Sequence, residues 1–345
     1  MKSIVLLFSS ALLLFACCKH HLVQPVMPTS KNADVTVEQD TLENIVFDYS
    51  IDTVQCDTAH FKNIIRNNGL PRLDIPANPS HYSVPTFTLN GQNKDELYYF
   101  HIEKIHPDKA DGTMTWYSLN LLTKEKKKIT YLPIAYQVYN PNPKSGWFFE
   151  KNNEWKIWKI KPNGDSLTFL ANSSSYASWN HDGSQMAYYD AQYGPKLYLA
   201  DATGKPFDTI VGEPADYFDW TKKDIFARQR GDGSIVSYNT KDRSRRLLVP
   251  ALGMADGFCW LGDWRTMVVS THSGLYIADT ETLQYRKIRC AGYHNSWYTK
   301  PQYSKKHHKI FAIKYQLVTY YLFDMYLISM NIDGSDEQIE AQSIY

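Results

Sequence analysis

The sequence has little net charge, few cysteines and no long hydrophobic run after residue 16. Its 345 residues include 37 basic and 36 acidic side chains, for a net charge of +1, so there is no overall attraction to nucleic acid or to an acidic surface. The apolar stretch 310–332 contains Lys314, Gln316 and Asp324, and these interruptions argue against a transmembrane helix. Composition therefore argues against a nucleic-acid-binding protein and against a domain that spans a membrane.

Aromatic residues are abundant instead. The chain has 25 Tyr, 9 Trp and 43% hydrophobic residues. That is enough apolar material for a sizeable core, and these aromatic types favour strands over helices. We therefore expect a soluble, β-rich globular domain.

The N-terminal residues 1–16 resemble the signal peptide of a bacterial lipoprotein. Lys2 is followed by an apolar run over 4–16, which is too short for a permanent transmembrane helix. The run leads into Leu14-Phe15-Ala16-Cys17, which is similar to the lipobox, where a small residue precedes the lipidated cysteine. The resemblance implies that Cys17 carries acyl chains that anchor the protein in a membrane. A secretory signal that is cleaved elsewhere is the alternative.

The residues after Cys17 bear on where the anchored protein resides. Position 18 is Cys, not the Asp that retains enterobacterial lipoproteins in the inner membrane, and 19–21 lack the acidic residues associated with surface export. We expect the periplasmic face of the outer membrane of a Gram-negative bacterium. Residues 19–45 are polar and aperiodic, so 17–45 is predicted to be the lipidated N-terminus followed by a flexible tether.

An N-terminal extension over 46–81 is predicted between the tether and the main domain. Residues 45–51 are typical of a strand. Asp57 is a suitable N-cap for a short helix that ends at Gly69. The extension is therefore expected to contain one strand and one small helix.

From residue 82 onward the sequence repeats with a period of about 40 residues. One recurring feature is an aromatic residue on the first strand of each unit, and another is an apolar strand that ends on a polar residue. The aromatic series is Phe87, Tyr139, Trp179, Trp220, Trp260 and Tyr303, with spacings of 52, 40, 41, 40 and 43. The polar series is Asn120, Lys161, Asp201, Asn239, Asp279 and Asn331, with spacings of 41, 40, 38, 40 and 52. Two series with one period, and four strand signals per unit, predict the blades of a β-propeller.

The fullest units resemble the TolB-like, WD-related propeller repeat, in which an aromatic residue and a polar turn precede an apolar strand, Leu-Tyr-x-x-Asp and a Gly turn. Over 178–204 the sequence reads SWNHDGSQMAYY…KLYLADATG. The resemblance covers 82–345 and implies an all-β, six-bladed propeller of four-stranded antiparallel blades. The last outer strand is expected from 338–344, which would close the ring without strand exchange. Alternatively, the strand over 45–51 pairs with the exposed edge of a blade and closes the ring there.

Three short strings imitate functional motifs, and we interpret each as a turn. His181-Asp182-Gly183 fits a hairpin tip in which Gly adopts positive φ and Asp caps the turn. Gly164-Asp165-Ser166-Leu167 matches the nucleophile block of GDSL-type esterases, and Arg230-Gly231-Asp232 matches an integrin-binding tripeptide. The serine peptidases that carry a TolB-like propeller also need Gly-x-Ser-x-Gly, which this sequence lacks.

Cysteine and histidine give weak signals. In an oxidising envelope Cys56 could pair with another cysteine. Cys259 and Cys290 fall on the first and last strands of one predicted unit, too far apart to bond to each other, so buried free thiols are expected. No His pair has metal-ligand spacing on one strand, and we expect no metal and no other cofactor.

We interpret the chain as non-catalytic, with a face of the propeller that docks an envelope protein or peptide. Tyr, Trp and Arg usually dominate interface energies. The candidate contact residues are Tyr193, Arg230, His272, Tyr293, Trp297, Tyr320 and Tyr321. The protein is expected to be a monomer that contacts the membrane only through its anchor and does not bind nucleic acid. The alternative is a binder or metal-dependent lyase of acidic oligosaccharides that uses Arg228, Arg230, His272 and His294.

Overall fold

The computed structural model describes Tyr49 and most of 87–341. The gaps in that range are 91–94, 104–112, 134–136, 140–141, 143, 146–147, 152–155, 162–164, 173–176, 191–195, 212–217, 223–224, 231, 254, 292–295 and 320–321. The chain divides into two units, 1–43 and 44–345, and all described residues belong to the second. Within these residues every regular element is a strand, and no helix qualifies by length and hydropathy as a membrane span.

In the described part of the chain, twenty-four strands form six four-stranded antiparallel sheets, each a simple meander in chain order. Sheet 1 contains β1 (Phe87–Leu89), β2 (Glu96–Glu103), β3 (Thr113–Asn120) and β4 (Lys126–Pro133). Sheet 2 contains β5 (Gln137–Tyr139), β6 (Phe148–Lys151), β7 (Lys156–Ile160) and β8 (Thr168–Asn172). Sheet 3 contains β9 (Ala177–Trp179), β10 (Gln185–Asp190), β11 (Lys196–Asp201) and β12 (Pro206–Val211).

The remaining three sheets follow the same pattern. Sheet 4 contains β13 (Phe218–Lys222), β14 (Ile225–Gln229), β15 (Ile235–Asn239) and β16 (Arg245–Val249). Sheet 5 contains β17 (Ala255–Trp260), β18 (Thr266–Thr271), β19 (Gly274–Asp279) and β20 (Tyr285–Cys290). Sheet 6 contains β21 (Ser296–Ser304), β22 (Lys309–Thr319), β23 (Leu322–Asn331) and β24 (Gln338–Ala341).

Neighbouring sheets pack against each other through shared hydrophobic cores. Five buried clusters each combine two sheets: sheets 2 and 3, 3 and 4, 4 and 5, 5 and 6, and finally 6 and 1. Sheets 1 and 2 contact each other through β1 and β5. The first strands contact one another across sheets, as in β9 with β13 and β17 with β21, so they lie toward the centre. The predicted all-β propeller fold is confirmed.

The recurring aromatic residues anchor the cores between sheets. Phe87, Trp179, Trp220 and Trp260 expose 1%, 6%, 3% and 9% of their surface. Each lies on the first strand of its sheet. Burying a side chain of this size contributes about 1.5–3 kcal/mol, so this position explains why the aromatic residue recurs in each unit.

In four of the six sheets the polar residue that ends the third strand organises the turn to the fourth strand. The side-chain oxygens of four members of the series accept backbone N–H groups two residues ahead, at 2.8–2.9 Å: Asn120, Asp201, Asn239 and Asp279. Asp and Asn favour such turns because their short side chains reach the backbone nearby. Four members of the second periodic series of the sequence are therefore turn caps.

Two of these turns use glycine to approach the preceding sheet. Gly204 and Gly334 have φ of 87° and 84°, a region that favours glycine. A Cβ on Gly204 would lie 2.2 Å from the carbonyl oxygen of Leu170 on β8, and one on Gly334 would lie 2.3 Å from that of Ile288 on β20. At these two turns glycine is required by both backbone conformation and space.

Two other turns hold a basic residue that reaches back to the preceding sheet. Lys124 and Arg243 have φ of 60° and 64°. Lys124 Nζ lies 2.6 Å from Glu340 Oε2 on β24, and an Arg243 guanidinium nitrogen lies 2.5 Å from Asp208 Oδ2 on β12. The same position in the turn therefore contacts the preceding outer strand either through glycine or through an ion pair.

The C-terminal strand was predicted correctly, and the N-terminal elements fall mostly outside the described residues. β24 pairs with β23 of the same sheet, as expected for a ring that closes without strand exchange. The helix predicted over 57–69 lies outside the described residues. Of the strand predicted over 45–51 only Tyr49 is described; it lies in a turn and packs against the core shared by sheets 5 and 6.

The prediction of free thiols is correct for Cys259 and wrong for Cys290. Cys259 is a buried free cysteine, whereas Cys290 is disulfide-bonded. The two do lie on the first and last strands of sheet 5, as expected, so they do not bond to each other. The partner of Cys290 lies outside the described residues, and sequence spacing within one sheet could not reveal it.

Candidate docking face

The candidate docking face is the end of the sheets where each second strand turns into the third and where each fourth strand leads to the next sheet. Arg230 lies in the β14–β15 turn, His272 in the β18–β19 turn, and Trp297 near the start of β21. The topology therefore places these three predicted contact residues at the same end of sheets 4, 5 and 6. Tyr193, Tyr293, Tyr320 and Tyr321 lie outside the described residues.

Arg230 begins a tight turn that its own backbone closes. Its N–H donates to the carbonyl oxygen of Ser234 at 2.8 Å, and its carbonyl oxygen accepts from Gly233 at 2.9 Å. Asp232 Oδ1 accepts the Ser234 N–H at 2.9 Å and its hydroxyl at 2.6 Å. These bonds lower the pKa of Asp232, so the carboxylate of the integrin-type tripeptide acts as a turn cap, as predicted.

His272 is exposed in a short turn whose other residues are fixed by hydrogen bonds. Ser273 N–H donates to Thr271 Oγ1 at 3.0 Å, and the Ser273 and Tyr276 hydroxyl oxygens are 2.7 Å apart. Gly274 follows at φ of 144°, where a Cβ would lie 2.0 Å from the carbonyl oxygen of Arg289. The imidazole is therefore presented to solvent by a rigid backbone.

Trp297 forms an aromatic pair with the neighbouring strand. Its ring stacks on Tyr315 with centroids 4.9 Å apart and planes 3° from parallel, and the two residues are partners in the β21–β22 register. Such stacking contributes about 0.5–1.5 kcal/mol beyond burial. The pair forms a preformed, half-buried aromatic surface on this face.

The hairpin that continues from this pair is longer than its counterparts. β22 and β23 contain 11 and 10 residues, whereas β10 and β11 contain 6 each. Both hairpins start from the same end of their sheets, since Lys309 pairs with Asn331 and Gln185 with Asp201. At about 3.3 Å per residue, the sixth sheet extends about 15 Å farther on the docking face than the third sheet does.

The first strands of sheets 3 to 6 carry polar or titratable side chains that the sequence interpretation missed: Ser178, Asp219, Cys259 and Lys300. Ser178 Oγ donates to Asp219 Oδ1 at 2.9 Å, which links sheets 3 and 4. Burial raises the pKa of Asp219 to about 6. Burial and the nearby charge of Asp219 raise the pKa of the Cys259 thiol, and burial lowers the pKa of Lys300 to about 8.

A sequence signal for three of these residues existed. Ser178, Asp219 and Cys259 each precede the anchoring aromatic residue of their unit, Trp179, Trp220 or Trp260. Because adjacent strand residues point to opposite faces, the position just before the aromatic residue lies on the face of the first strand opposite that residue: Cys259 packs in the core shared with sheet 6, whereas Trp260 packs in the core shared with sheet 4. Lys300 lies three residues before Tyr303 in a strand whose register shifts between Thr299 and Gln302, so alignment of the units does not find it.

The remaining candidate motifs occupy turns. Asp182 Oδ1 accepts the Ser184 N–H at 2.9 Å, and Gly183 has φ of 69°, so the His181-Asp182 pair is a hairpin tip, as predicted. Ser166 has φ of 60° between β7 and β8, which confirms the predicted turn for the GDSL-like string.

No group of three His, Cys, Asp or Glu side chains with metal-site geometry occurs among the described residues. His294, a candidate in the acidic-sugar alternative, lies outside them. Arg228 lies on β14 opposite Phe218. Of that alternative's four residues, Arg230 and His272 are the two that the described structure places at one end of adjacent sheets.

Comparisons with known proteins support the fold and no more. No family model matches the chain, and no curated protein matches it. A solved structure from Agrobacterium tumefaciens, described as TolB, superimposes with a TM-score of 0.54 at 15% identity, covering 68% of this chain and 90% of that one. The C-terminal WD40 domain of Sif2 gives a TM-score of 0.47 at 11% identity, covering 73% and 82%. At such identities the likeness to the TolB structure shows a shared β-propeller fold and leaves the family open.

Proposed function

We propose that this chain is a non-catalytic propeller that docks a protein or peptide partner on the docking face. The observation that carries the proposal is the placement of Arg230, His272 and Trp297 at one end of three consecutive sheets. Arg and Trp are the residue types that most often dominate binding energies. Turns held on a stiff scaffold are also where recognition concentrates.

The scaffold in this proposal is a closed ring in which the six sheets are six blades. The shared core of sheets 6 and 1 supports closure, and so do two hydrogen bonds between Gln302 and the backbone of β1, at 2.9 and 3.1 Å. A closed ring keeps its turns in fixed relative positions. The partner then meets a preorganised surface, which lowers the entropic cost of binding.

The location in this proposal is the cell envelope. The lipobox-like Leu14-Phe15-Ala16-Cys17 supports lipidation at Cys17, and the residues that follow favour the periplasmic face of the outer membrane. The chain would act there as a monomer held by its anchor. The docking face would then meet an envelope protein or a peptide segment of one.

Photo-cross-linking in cells tests the docking proposal. A photoreactive amino acid replaces His272 in one variant of the full chain and His181 in a matched control. Both histidines are exposed in tight turns, but His181 lies between a first and second strand, at the opposite end of its sheet.

We expect one reproducible envelope protein to be cross-linked from position 272 and not from position 181. The expected effect of Trp297→Ala is a loss of that product at an unchanged level of the propeller. Equal labelling from both histidines, or no product from position 272, would overturn the proposal.

A further inference from the structure

We propose that a pocket between the first and sixth sheets binds a small ligand that combines an anionic group with an apolar body. The pocket has a volume of about 460 Å³, within the range of small-molecule sites. It is lined by the β3–β4 turn and the start of β4, by the β21–β22 turn and the start of β22, and by β24. These elements lie at the end of the sheets opposite the docking face, so this site is separate from the proposed partner surface.

The lining combines basic side chains with an apolar base. Lys124 and Lys126 come from sheet 1, and His307 and Lys309 come from sheet 6. The apolar base includes Phe311, which is 2% exposed. A concave apolar surface with a few convergent polar groups is the usual composition of a ligand site.

The carboxylates around the pocket compensate most, but not all, of its positive charge. Glu340 lies 2.6 Å from Lys124 Nζ, and Asp336 lies 2.9 Å from Lys309 Nζ. Asp95 pairs with Lys306 and lies 3.2 Å from His307 Nε2. Glu340 also accepts a hydrogen bond from the Ser329 hydroxyl at 2.7 Å. The three carboxylates are thus already paired, with Lys124, Lys309 and His307 of the lining and with Lys306.

Lys126 supplies the unmatched charge. It lines the pocket, is exposed, and forms no ion pair or side-chain hydrogen bond within the described part of the chain. A carboxylate or phosphate can therefore pair with Lys126 without breaking an existing bond. Such charge-assisted bonds are among the stronger polar contacts in proteins.

The apolar lining of the pocket favours an organic anion over an inorganic one as the ligand. Ile339 is 54% exposed on β24 beside the buried Phe311. Covering this side chain with a ring or an alkyl group removes apolar surface from water, which is favourable. The fitting ligand class is thus a phosphorylated or carboxylated molecule with an aromatic or aliphatic portion.

Isothermal titration calorimetry on the full chain in detergent, with phenyl phosphate as the probe, tests the proposal. Inorganic phosphate at matched ionic strength is the comparison ligand. We expect phenyl phosphate to bind with a Kd of about 1 mM or tighter, and inorganic phosphate to bind about tenfold more weakly because it lacks the apolar portion.

The variants are Lys126→Ala and the matched control Lys127→Ala. Both residues are exposed on β4, and each variant removes one positive charge. Because adjacent strand residues point to opposite faces, Lys126 lines the pocket and Lys127 does not. Lys126→Ala should weaken phenyl phosphate binding about fivefold, and Lys127→Ala should leave it unchanged. Absence of binding, equal loss in both variants, or equal affinity for the two ligands would overturn the proposal.

Discussion

Asp219, a carboxylate on the first strand of sheet 4, makes a pH-dependent contribution to the stability of this protein. Burial raises its pKa to about 6, above the unperturbed value of about 3.9. The folded state therefore binds more protons than the unfolded state between these two values. Since stability falls with pH wherever the folded state holds the extra proton, we expect the contribution of Asp219 to the free energy of unfolding to decrease as pH rises from about 4 to about 6.

Asp219→Asn should remove the destabilisation that ionisation of Asp219 causes. The amide oxygen keeps the acceptor for Ser178 Oγ and for the Trp220 N–H, and no buried charge forms. We expect a gain of up to about 3 kcal/mol at pH 7, with a much smaller gain at about pH 4, measured by denaturant unfolding at both pH values.

The control for this charge effect is Asp182→Asn. Hydrogen bonds from Ser184 lower the pKa of Asp182, so its ionised form is favoured in the folded state. This variant should lose stability at neutral pH and approach the wild type in acid. The same sign for both variants would contradict the assignment of burial as the cause at Asp219.

Gly204 shows how strongly one position without a side chain constrains the packing of two sheets. Its φ is 87°, and a Cβ would lie 2.2 Å from the Leu170 carbonyl oxygen. Gly204→Ala should cost more than about 2 kcal/mol, because it adds overpacking to backbone strain. Gly253→Ala is the control, since Gly253 has φ of 106° but nothing within 4 Å of its Cβ position. Thermal unfolding should show a clearly smaller loss for Gly253→Ala; equal losses would mean that backbone strain alone acts at Gly204.

Single elements of this protein were predictable where a local pattern determines them. The strand-ending Asn120, Asp201, Asn239 and Asp279 were found from spacing alone because turn chemistry depends on near neighbours. The pocket between sheets 1 and 6 was not predicted, since Lys124 and Glu340, which lie on opposite sides of it, are 216 residues apart in the sequence. The same holds for Cys290, whose bond leaves its own sheet.

The disulfide of Cys290 joins an outer strand to a cysteine outside the described residues. Cys259 is free, so the partner is Cys17, Cys18 or Cys56. Cys17 is the proposed lipidation site, and Tyr49 packs near the core shared by sheets 5 and 6, seven residues before Cys56. We therefore expect the bond to join Cys56 and Cys290.

Thiol titration and non-reducing peptide mapping check this prediction in a full chain that carries Cys17→Ser and Cys18→Ser. The oxidised protein should show one free thiol, from Cys259, and a peptide that joins the 56 and 290 segments. Cys56→Ser should release the Cys290 thiol and cost about 2–4 kcal/mol of stability. Cys259→Ser should leave the linked peptide intact. Three free thiols in the unreduced protein would contradict the assignment.

At the scale of the whole molecule, the distinction that matters is between a closed ring and an open arc of sheets. In an open arc the two terminal sheets would each have one uncovered face, and stability would be a sum of neighbouring terms. In a closed ring every interface is equivalent in kind. Phe87 at the seam of sheets 1 and 6 and Phe218 between sheets 3 and 4 allow a direct comparison, since they expose 1% and 0% of their surface.

Phe87→Ala and Phe218→Ala should therefore cost similar amounts, about 3–5 kcal/mol each, because both leave a cavity in a buried core. Each variant should also keep a single unfolding transition in which tryptophan fluorescence and far-ultraviolet circular dichroism coincide. If the seam were weak, Phe87→Ala would cost much less and sheet 1 would unfold before the rest. Equal costs with one transition would mean that the first and last sheets support each other as the inner ones do, and that the turns of the docking face keep fixed positions around the whole ring.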